Sequence, residues 1–473
     1  MLKVTPYDYQ KEGIAFGLAK KRLIIGDEPG LGKTLQSIAI VDKADAFPCL
    51  VICPSSLKIN WMREFHKFTD RSAIVLDNST ATTWPFLLSM RIHDVAVVNY
   101  ESLRKYFVYS APSGNFRLKD IVFNPHISVF RSVIIDESHR IKEPTSHQTM
   151  YAKGISSGKE YVILLSGTPV VNRPADLITQ LSVMDRLKEF GGKSEFLRRY
   201  GGGEGARNGR SVEDNTPRNL DELSRRLYES CMIRREKAMV LRELPDKTRM
   251  DVVVDISNRE EYDTAEDDLR EYLVTYTECT DFDIRRKMRM EALVKFMTLR
   301  SLSSIGKVRQ AIDFARTFLE SGKQLIIFCS LHDVVDRLHD ALEGSVTVTG
   351  RDSMNDKQAA VDAFQNGNTL CIICSIKAAG VGLTLTASSN VLFVEFPWTY
   401  ADCCQCEDRA HRIGQKDNVT CYYLLGAGTI DYRLYRIIQD KRSVANTIMA
   451  SSDDIPTSTE YFDELVNAFT DET

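Results

Sequence analysis

The sequence GDEPGLGKT occupies residues 26–34 and decides how the first part of the chain folds. An apolar run at residues 23–25 precedes it, and apolar residues at helical spacing follow it, which predicts the order strand, glycine loop, helix. Gly30 and Gly32 permit a tight turn whose N–H groups point inward. The following helix adds unpaired donors and the positive end of its dipole. The stretch therefore predicts a cradle for polyphosphate.

Two residues of this stretch have the chemistry to hold a nucleotide. Lys33 would place a positive charge on the β- and γ-phosphates, and the Thr34 hydroxyl would hold a magnesium ion that bridges them. The general pattern has glycine five residues before Gly32, whereas this chain has Asp27 there. A glycine-rich turn between strand and helix is the alternative that the other motifs must exclude.

Composition limits the class of protein. The chain has 473 residues, 43% hydrophobic and 27% charged, with a net charge of -4. These values are typical of a soluble protein of two to four domains without bulk attraction to nucleic acid. No apolar run reaches the roughly 18 residues of a membrane span, and the amino terminus does not resemble a signal peptide. We expect a soluble, intracellular, cytoplasmic protein that does not contact a membrane.

The cysteines predict no disulfide framework and no metal site. Their number is odd, 11, and several lie inside apolar runs, as core cysteines in a reducing compartment do. Cys403, Cys404 and Cys406, followed by His411, are an alternative zinc cluster. They lack a second well-spaced pair, so the sequence favours buried thiols.

Alternating apolar runs and helical segments predict an α/β fold with parallel sheets. Residues 1–185 form the first predicted lobe, with strands at 50–52, 95–98, 133–135 and 162–165. Residues 186–300 are predicted as a helical insertion and linker, with amphipathic helices at 260–273 and 284–302. Residues 301–450 form the second lobe, with strands at 325–328, 346–348, 370–373, 391–396 and 419–425. Residues 451–473 carry acidic and no basic residues and are predicted as an acidic tail or a docking helix.

Polar motifs follow the predicted strands of the first lobe. Asp136 and Glu137 come directly after a strand, where Asp136 can organise a magnesium shell and Glu137 can orient or deprotonate the attacking water. A solvated acidic loop is the alternative. Ser166 and Thr168 follow the next strand, and alone they would indicate only a turn. Because ligands collect at the carboxyl ends of parallel strands, these motifs define one candidate edge.

An arginine pair marks the second lobe. Arg409 and Arg412 lie three residues apart, so on a helix both guanidinium groups would face the same way and reach one phosphate. Such donors stabilise charge on a transferred phosphoryl group. By spacing alone, a surface arginine pair is equally compatible.

These motifs occur in a fixed order that resembles a known family. GDEPGLGKT, VICPSSLKINWMREF, VVNYES, IIDESH, LLSGTPVVNRPADL and MIRREKAMVLRELPDKT are followed by LIIFCS, AAGVGLTLTA, EFPW and QCEDRAHRIGQ. The set is similar to the Swi/Snf-type ATPases of helicase superfamily two, and most similar to the annealing-helicase (HARP-like) branch. The resemblance implies two tandem RecA-like lobes that bind ATP and Mg²⁺ and act on double-stranded or branched DNA. It indicates no particular protein partner, and a member of the family this short is expected to have a phage or bacterial origin.

The resemblance also assigns roles by position. It implies that Gln10 reads adenine and that Gly30, Gly32, Lys33, Thr34 and Asp136 bind the nucleotide. The residues that couple nucleotide state to lobe movement would be His139, Ser166, Thr168, Gly382 and Gln405. The residues expected at the DNA backbone are Pro54, Ser55, Asn99, Ser330, Gly350 and Thr384, with Trp398 against the DNA. Half-buried packing is the alternative for Trp398.

The sequence therefore predicts a DNA-dependent ATPase that translocates on duplex DNA, with fork remodelling and strand annealing both open. One alternative is a nucleotide-gated DNA clamp with little turnover, although such a protein would be expected to lack at least one of Lys33, Glu137, Arg409 and Arg412. An RNA-directed motor of the same superfamily is another, which spacing alone does not distinguish.

Overall fold

The computed structural model describes residues 2–436, together with Val466 and Phe469. Within that span it leaves out residues 115, 142, 168–173, 202–217, 242–243, 280, 380–382, 396 and 398–399. The described residues form two compact units, one up to residue 241 and one from residue 244 that includes Val466 and Phe469. Among these residues, none of the helices combines the length and apolar character needed to cross a bilayer.

The first unit is built around a seven-stranded parallel sheet with helices between its strands. Its helices are α1 (Asp8–Lys20), α2 (Lys33–Lys43), α3 (Lys58–Phe68), α4 (Trp84–Ser89), α5 (Leu103–Phe107), α6 (His147–Ser156), α7 (Asp176–Val183), α8 (Gly192–Tyr200), α9 (Leu220–Ser230) and α10 (Lys237–Val240). Its strands are β1 (Arg22–Ile25), β2 (Cys49–Cys53), β3 (Ala73–Val75), β4 (Val95–Asn99), β5 (Val108–Ser110), β6 (Val122–Phe123), β7 (Ser132–Asp136), β8 (Tyr161–Leu165) and β9 (Met232–Ile233). The sheet order is β3-β4-β2-β7-β8-β1-β9, and β5 and β6 form a separate antiparallel pair.

The second unit contains a six-stranded parallel sheet. Its helices are α11 (Arg259–Glu278), α12 (Phe282–Gly306), α13 (Val308–Glu320), α14 (His332–Ala341), α15 (Met354–Gln365), α16 (Ile376–Ala379) and α17 (Tyr400–Glu407). Its strands are β10 (Lys247–Val254), β11 (Leu325–Cys329), β12 (Val346–Val348), β13 (Cys371–Ser375), β14 (Asn390–Phe393) and β15 (Val419–Gly426). Their order is β10-β15-β14-β11-β13-β12.

The predicted fold class, α/β with parallel sheets, is confirmed in both units. Strands β2, β4, β8, β11 and β13 are buried along their whole length. Strands that helices cover on both faces read as continuous apolar runs, which is why the sequence identified them. The short strands β3, β5, β6 and β9 were not predicted, because two or three residues carry too little pattern. The edge strand β10 was also missed, inside the segment predicted as helical, because none of its residues is fully buried and it lacks the continuous apolar run of a central strand.

The segment predicted as a helical insertion, residues 186–300, is divided between the two units. Up to residue 241 it packs with the first unit, because Phe196, Leu223 and Leu227 enter the core of that unit. From residue 244 it packs with the second unit, where Leu269 and Phe296 are core residues of α11 and α12. The difference arises because these helices bury one apolar face each, and a buried face needs a neighbouring core.

Two residues of the predicted acidic tail lie in the described part of the chain. Val466 and Phe469 are buried in the core of the second unit. The ring of Phe469 packs edge-on against Phe296, with centroids 5.4 Å apart, and the guanidinium of Arg433 lies 3.9 Å from its centroid. A truncation before Ser451 would therefore remove two core side chains as well as the acidic residues.

Candidate nucleotide-hydrolysis site

The phosphate loop of residues 26–34 joins β1 to α2. Gly30 and Gly32 have φ values of 89° and 76°, in the left-handed region that glycine occupies without strain. Gly32 is the residue before the first turn of α2, and a Cβ there would lie 2.5 Å from Nε2 of Gln10. Position 32 therefore needs glycine for its conformation, and a Cβ there would also displace the amide of Gln10.

Gln10 lies under this loop, 1% exposed. Its Nε2 donates to the Leu31 carbonyl at 3.1 Å, and its Oε1 accepts from the Tyr7 N–H at 3.0 Å. Tyr9 donates from its hydroxyl to the same carbonyl at 3.1 Å. In the structure Gln10 supports the loop, and its predicted contact with adenine stays a prediction.

Lys33 begins α2 with its ammonium turned back towards the loop. Its Nζ donates to the Asp27 carbonyl at 2.7 Å. Burial lowers the pKa of Lys33, while the nearby carboxylates of Glu137, Asp27 and Asp136 act in the opposite direction. A desolvated ammonium close to these carboxylates is suited to bind an anion that bridges it to a metal ion.

Asp136 ends β7, and its carboxylate is held from two sides. Trp61 donates from Nε1 to Oδ2 at 2.9 Å, and the backbone N–H of Glu137 donates to Oδ1 at 2.9 Å. Burial and the neighbouring Glu137 raise the pKa of Asp136 to about 6. A divalent cation would favour the charged form of this carboxyl. The environment in the protein alone favours the neutral carboxyl, and a bound cation would offset that preference.

Glu137 has a backbone conformation that is uncommon for a residue other than glycine. Its φ of 51° lies in the left-handed region, which costs a non-glycine residue roughly 1–3 kcal/mol of strain. Residues strained in this way cluster at functional sites. Its Oε2 lies 3.4 Å from Nδ1 of His139. The same ring nitrogen is 3.2 Å from Oγ of Ser166. The predicted hydrolytic residue thus contacts His139, which in turn contacts Ser166, while Thr168 lies outside the described residues.

The order of strands brings the first-lobe predictions to one edge. Strands β4, β2, β7, β8 and β1 are successive neighbours, so Asn99, Pro54, Asp136, Ser166 and the phosphate loop follow one another along their carboxyl ends. Ser55 is exposed, whereas Asn99 is 8% exposed and donates from Nδ2 to Glu101 at 2.8 Å. Ligands bind at this edge in open α/β sheets.

Two side chains connect the predicted DNA segments to Asp136. Trp61 lies in α3, the helix that follows Pro54 and Ser55, and Tyr100 follows Asn99 directly. The Tyr100 hydroxyl donates to the Asp136 carbonyl at 2.5 Å. Burial and the Asp136 charge raise the pKa of Tyr100, so this hydroxyl stays protonated as a donor. Sequence patterns did not indicate either contact.

In the second unit, the predicted DNA residues occur after strand ends. Ser330 follows β11 and Gly350 follows β12 closely, while Thr384 lies in the loop between β13 and β14. The N–H of Ser330 donates to Oε2 of Glu395 at 2.5 Å, and Nη2 of Arg300 lies 3.4 Å from its Oγ. Gln405 lies on α17 and is half-buried. Gly382 and Trp398 lie outside the described residues.

The arginine pair does not lie on a helix, so the condition under which both guanidinium groups would share a helix face is not met. Helix α17 ends at Glu407, and the N–H groups of Arg409 and Ala410 bond three residues back, to Cys406 and Glu407, in turns. The chain bends here towards β15, and Gly414 has a φ of 100°. Arg409 is buried, 7% exposed, and Arg412 donates from Nη1 to the Leu383 carbonyl at 3.1 Å. The pair therefore sits in a packed bend rather than along one helix face.

The buried carboxylate of Glu407 stabilises the start of this bend, and sequence patterns did not identify it. Glu407 is fully buried and accepts from Lys247 at 2.9 Å and from Nε of Arg249 at 2.5 Å, both on β10. Burial acts to raise the pKa of Glu407, but these two cations outweigh burial, and the pKa is lowered. Because β10 lies about 160 residues earlier, no local pattern could have paired these groups.

The residues of the first unit fit a magnesium–nucleotide. Backbone N–H groups at the start of α2, Lys33, the Thr34 hydroxyl and the Asp136 carboxylate are the donors and oxygen ligands that polyphosphate and a hard divalent cation require. Lys33 and the loop would hold the phosphates, and Thr34 and Asp136 would hold the metal ion. The metal ion would neutralise charge on the phosphates, while Glu137 would orient water.

Together the fold and this site define an α/β enzyme of the helicase-like, ATP-hydrolysing class. The family model described as the SNF2-related domain matches residues 9–332, and the Helicase conserved C-terminal domain matches residues 306–414. The chain belongs to the SNF2-related family.

Several relatives match nearly the whole chain. The SWI/SNF-related matrix-associated actin-dependent regulator of chromatin subfamily A-like protein 1 homolog of Caenorhabditis elegans is 31% identical over 463 residues, 96% of this chain and 63% of the relative. The DNA annealing helicase and endonuclease ZRANB3 of Homo sapiens is 29% identical over 95% of this chain and 41% of its own length. The chain thus spans about half the length of the curated relatives it matches. The Sulfolobus solfataricus SWI2/SNF2 ATPase core aligns over 98% of this chain and 97% of its own, at 22% identity and a TM-score of 0.42.

Proposed function

We propose that this protein is a DNA-dependent ATPase that translocates on double-stranded DNA and hydrolyses ATP with Mg²⁺. Lys33 and Thr34 hold the phosphates and the metal ion, and Asp136 and Glu137 drive hydrolysis. Arg409 and Arg412 are the guanidinium groups that stabilise charge on the transferred phosphoryl group. The relatives named as a DNA annealing helicase and as regulators of chromatin support DNA as the polymer.

The contacts to Asp136 are the observation that carries this proposal. Trp61 and Tyr100, each next to a segment expected at the DNA backbone, bond to the carboxylate and the carbonyl of the residue expected to hold magnesium. If either segment moves when DNA binds, Trp61 or Tyr100 would therefore move Asp136 at the hydrolytic site. Such a connection makes ATP turnover depend on a bound polymer, as a translocase requires.

The DNA would be gripped without base-specific readout. Backbone contacts supply affinity that falls steeply with salt and is nearly independent of sequence. The presence of Lys33, Glu137, Arg409 and Arg412 favours a motor with turnover over a clamp that only binds. Fork remodelling and strand annealing are both uses to which such a motor is suited.

Translocation on an intact duplex predicts a particular result with triplex DNA. With ATP and Mg²⁺, the protein is expected to displace a labelled third strand, because a motor that tracks along one backbone removes what lies in its path. A duplex with a single-stranded tail should stay paired. The measurement is the release of the labelled strand on a native gel.

Two controls separate translocation from passive melting of the triplex. The first omits ATP, and the second uses the Glu137→Gln variant, which is expected to bind ATP without turnover. Release of the third strand in either control would count against the proposal. Efficient unwinding of the tailed duplex with the triplex left intact would identify a conventional helicase instead.

A further inference from the structure

Asp27 stands where the general phosphate-loop pattern has glycine, and the structure shows what replaces it. The residue is fully buried, and its φ is not in the left-handed region, so its backbone does not need glycine. Its carbonyl accepts the Lys33 ammonium at 2.7 Å. Asp27 therefore connects Lys33, which bonds to its carbonyl, with the side chain that binds its carboxylate.

The partner of that carboxylate is Arg235, which follows β9. Nε of Arg235 donates to Oδ1 at 3.0 Å and Nη2 donates to Oδ2 at 2.6 Å, a two-pronged pair between groups that are 11% and 0% exposed. Gln36 of α2 adds a third donor to Oδ2 at 2.8 Å. A buried carboxylate with this many donors is fixed in position, and removal of the guanidinium would leave its charge uncompensated.

Arg235 also joins the two helices on either side of the loop. It donates from Nη2 to Oε1 of Gln36 in α2 at 2.6 Å and from Nη1 to the backbone carbonyl of Tyr9 in α1. Its guanidinium lies 5.3 Å from the centre of the Tyr9 ring. One side chain thus contacts the loop, the helix that begins at Lys33 and the helix that carries Gln10.

The backbone around Arg235 is also hydrogen-bonded to the phosphate loop. Gly26 donates to the Ile233 carbonyl at 2.7 Å, and Glu28 donates to the Arg235 carbonyl at 3.0 Å. The Glu28 carboxylate in turn accepts the Lys237 N–H at 2.8 Å. The first residues of the phosphate loop are therefore paired with a segment more than 200 residues later in the chain.

We propose that Arg235 is a positioning residue for ATP binding, which acts through Asp27 to hold the phosphate loop and Lys33 in the conformation that receives phosphate. This inference rests on the proposed ATP site. Arg235 reaches the nucleotide only through the loop, because its guanidinium is already bonded to Asp27, Gln36 and Tyr9.

The test measures the KM for ATP with Arg235→Gln, Asp27→Asn and the double variant. Each single variant is expected to raise this KM roughly 10- to 100-fold, the range for residues that orient the groups in contact with a ligand. The double variant should be no worse than the singles, because the two side chains act as one unit. Arg235→Lys should recover part of the loss, because it keeps the charge without the two-pronged geometry.

The readout separates positioning from a general loss of stability. A smaller folded fraction lowers the apparent kcat and leaves KM unchanged, whereas a displaced loop raises KM. Arg225→Gln is the matched control, since Arg225 belongs to the same unit and forms an exposed pair with Glu229, and it should leave KM unchanged. Binding of a fluorescent ATP analogue, measured without DNA, checks affinity independently of turnover.

Wild-type KM and analogue affinity in Arg235→Gln and Arg235→Lys would overturn this inference, as would fully additive effects in the double variant. Failure of the proposed function gives a different result, because the wild-type protein itself would then fail to hydrolyse ATP, whether or not it binds the analogue.

Discussion

Glutamine in place of Glu137 is expected to leave ATP binding intact and to lower turnover by at least about 10²-fold, because a positioned general base contributes about that much. Glutamine keeps the length of the side chain and can still bond to His139. Alanine in place of Lys33 should weaken ATP binding as well, because the ammonium that faces the phosphates is lost. The measurements are ATP-analogue affinity and steady-state hydrolysis of the two variants side by side.

The matched control is Glu160→Gln. Glu160 is an exposed carboxylate next to the amino end of β8, paired with Lys21, so it lies at the opposite edge of the sheet from Glu137. Its replacement should change neither binding nor turnover. Hydrolysis at the wild-type rate in Glu137→Gln would show that another group activates water, and unchanged ATP affinity in Lys33→Ala would remove Lys33 from the site.

Replacement of either Arg409 or Arg412 by alanine is expected to cost about 10³-fold in turnover, the range for arginines that stabilise a transferred phosphoryl group. DNA binding should be nearly unchanged. Arg409 is buried, so its alanine variant also loses packing, and Arg409→Lys separates the two effects because it keeps the charge and most of the stem. Arg412 bonds the Leu383 carbonyl, a contact whose loss should affect stability only slightly.

Single-turnover hydrolysis at saturating ATP, with thermal stability measured in parallel, distinguishes a role in the reaction from a role in folding. Arg337→Ala is the control, because Arg337 is exposed in the same unit and pairs with Asp333 within α14. Near-normal turnover in a folded Arg409→Ala, Arg412→Ala double variant would show that the pair belongs only to the structure of the bend.

The sequence predicted those features of the fold that depend on local pattern. Continuous apolar runs gave the central strands of both sheets, and the glycines at 30 and 32 gave the loop between β1 and α2. Short polar motifs directly after strands placed Asp136 and Ser166 at one edge, because parallel strands end there together. These predictions needed only residues that are close in sequence.

What the sequence could not predict depends on residues far apart in the chain. Asp27 departs from the general loop pattern, and its partner Arg235 lies 208 residues later in the chain. The end of α17 at Glu407 has no local stop signal, since the residues that follow are compatible with helix until Gly414. The bend is fixed instead by tertiary contacts, among them the ion pairs of Glu407 with Lys247 and Arg249.

The division of residues 186–300 between the units has the same origin. Amphipathic helices were predicted correctly near residues 260 and 284, but a helical pattern does not say which core receives its apolar face. Leu223 and Leu227 of α9 pack into the first core, and Leu269 of α11 packs into the second. Only the packed structure reveals that assignment.

Polymer-stimulated ATP hydrolysis tests the central claim most directly. The rate of the full chain would be compared with duplex DNA, forked DNA, single-stranded DNA and double-stranded RNA at equal phosphate concentration and low salt, where backbone contacts are strongest. The proposed translocase predicts a rate several-fold above the protein alone with duplex and forked DNA, and little stimulation by single strands or RNA. Equal stimulation by RNA, or no stimulation by any duplex DNA, would contradict it.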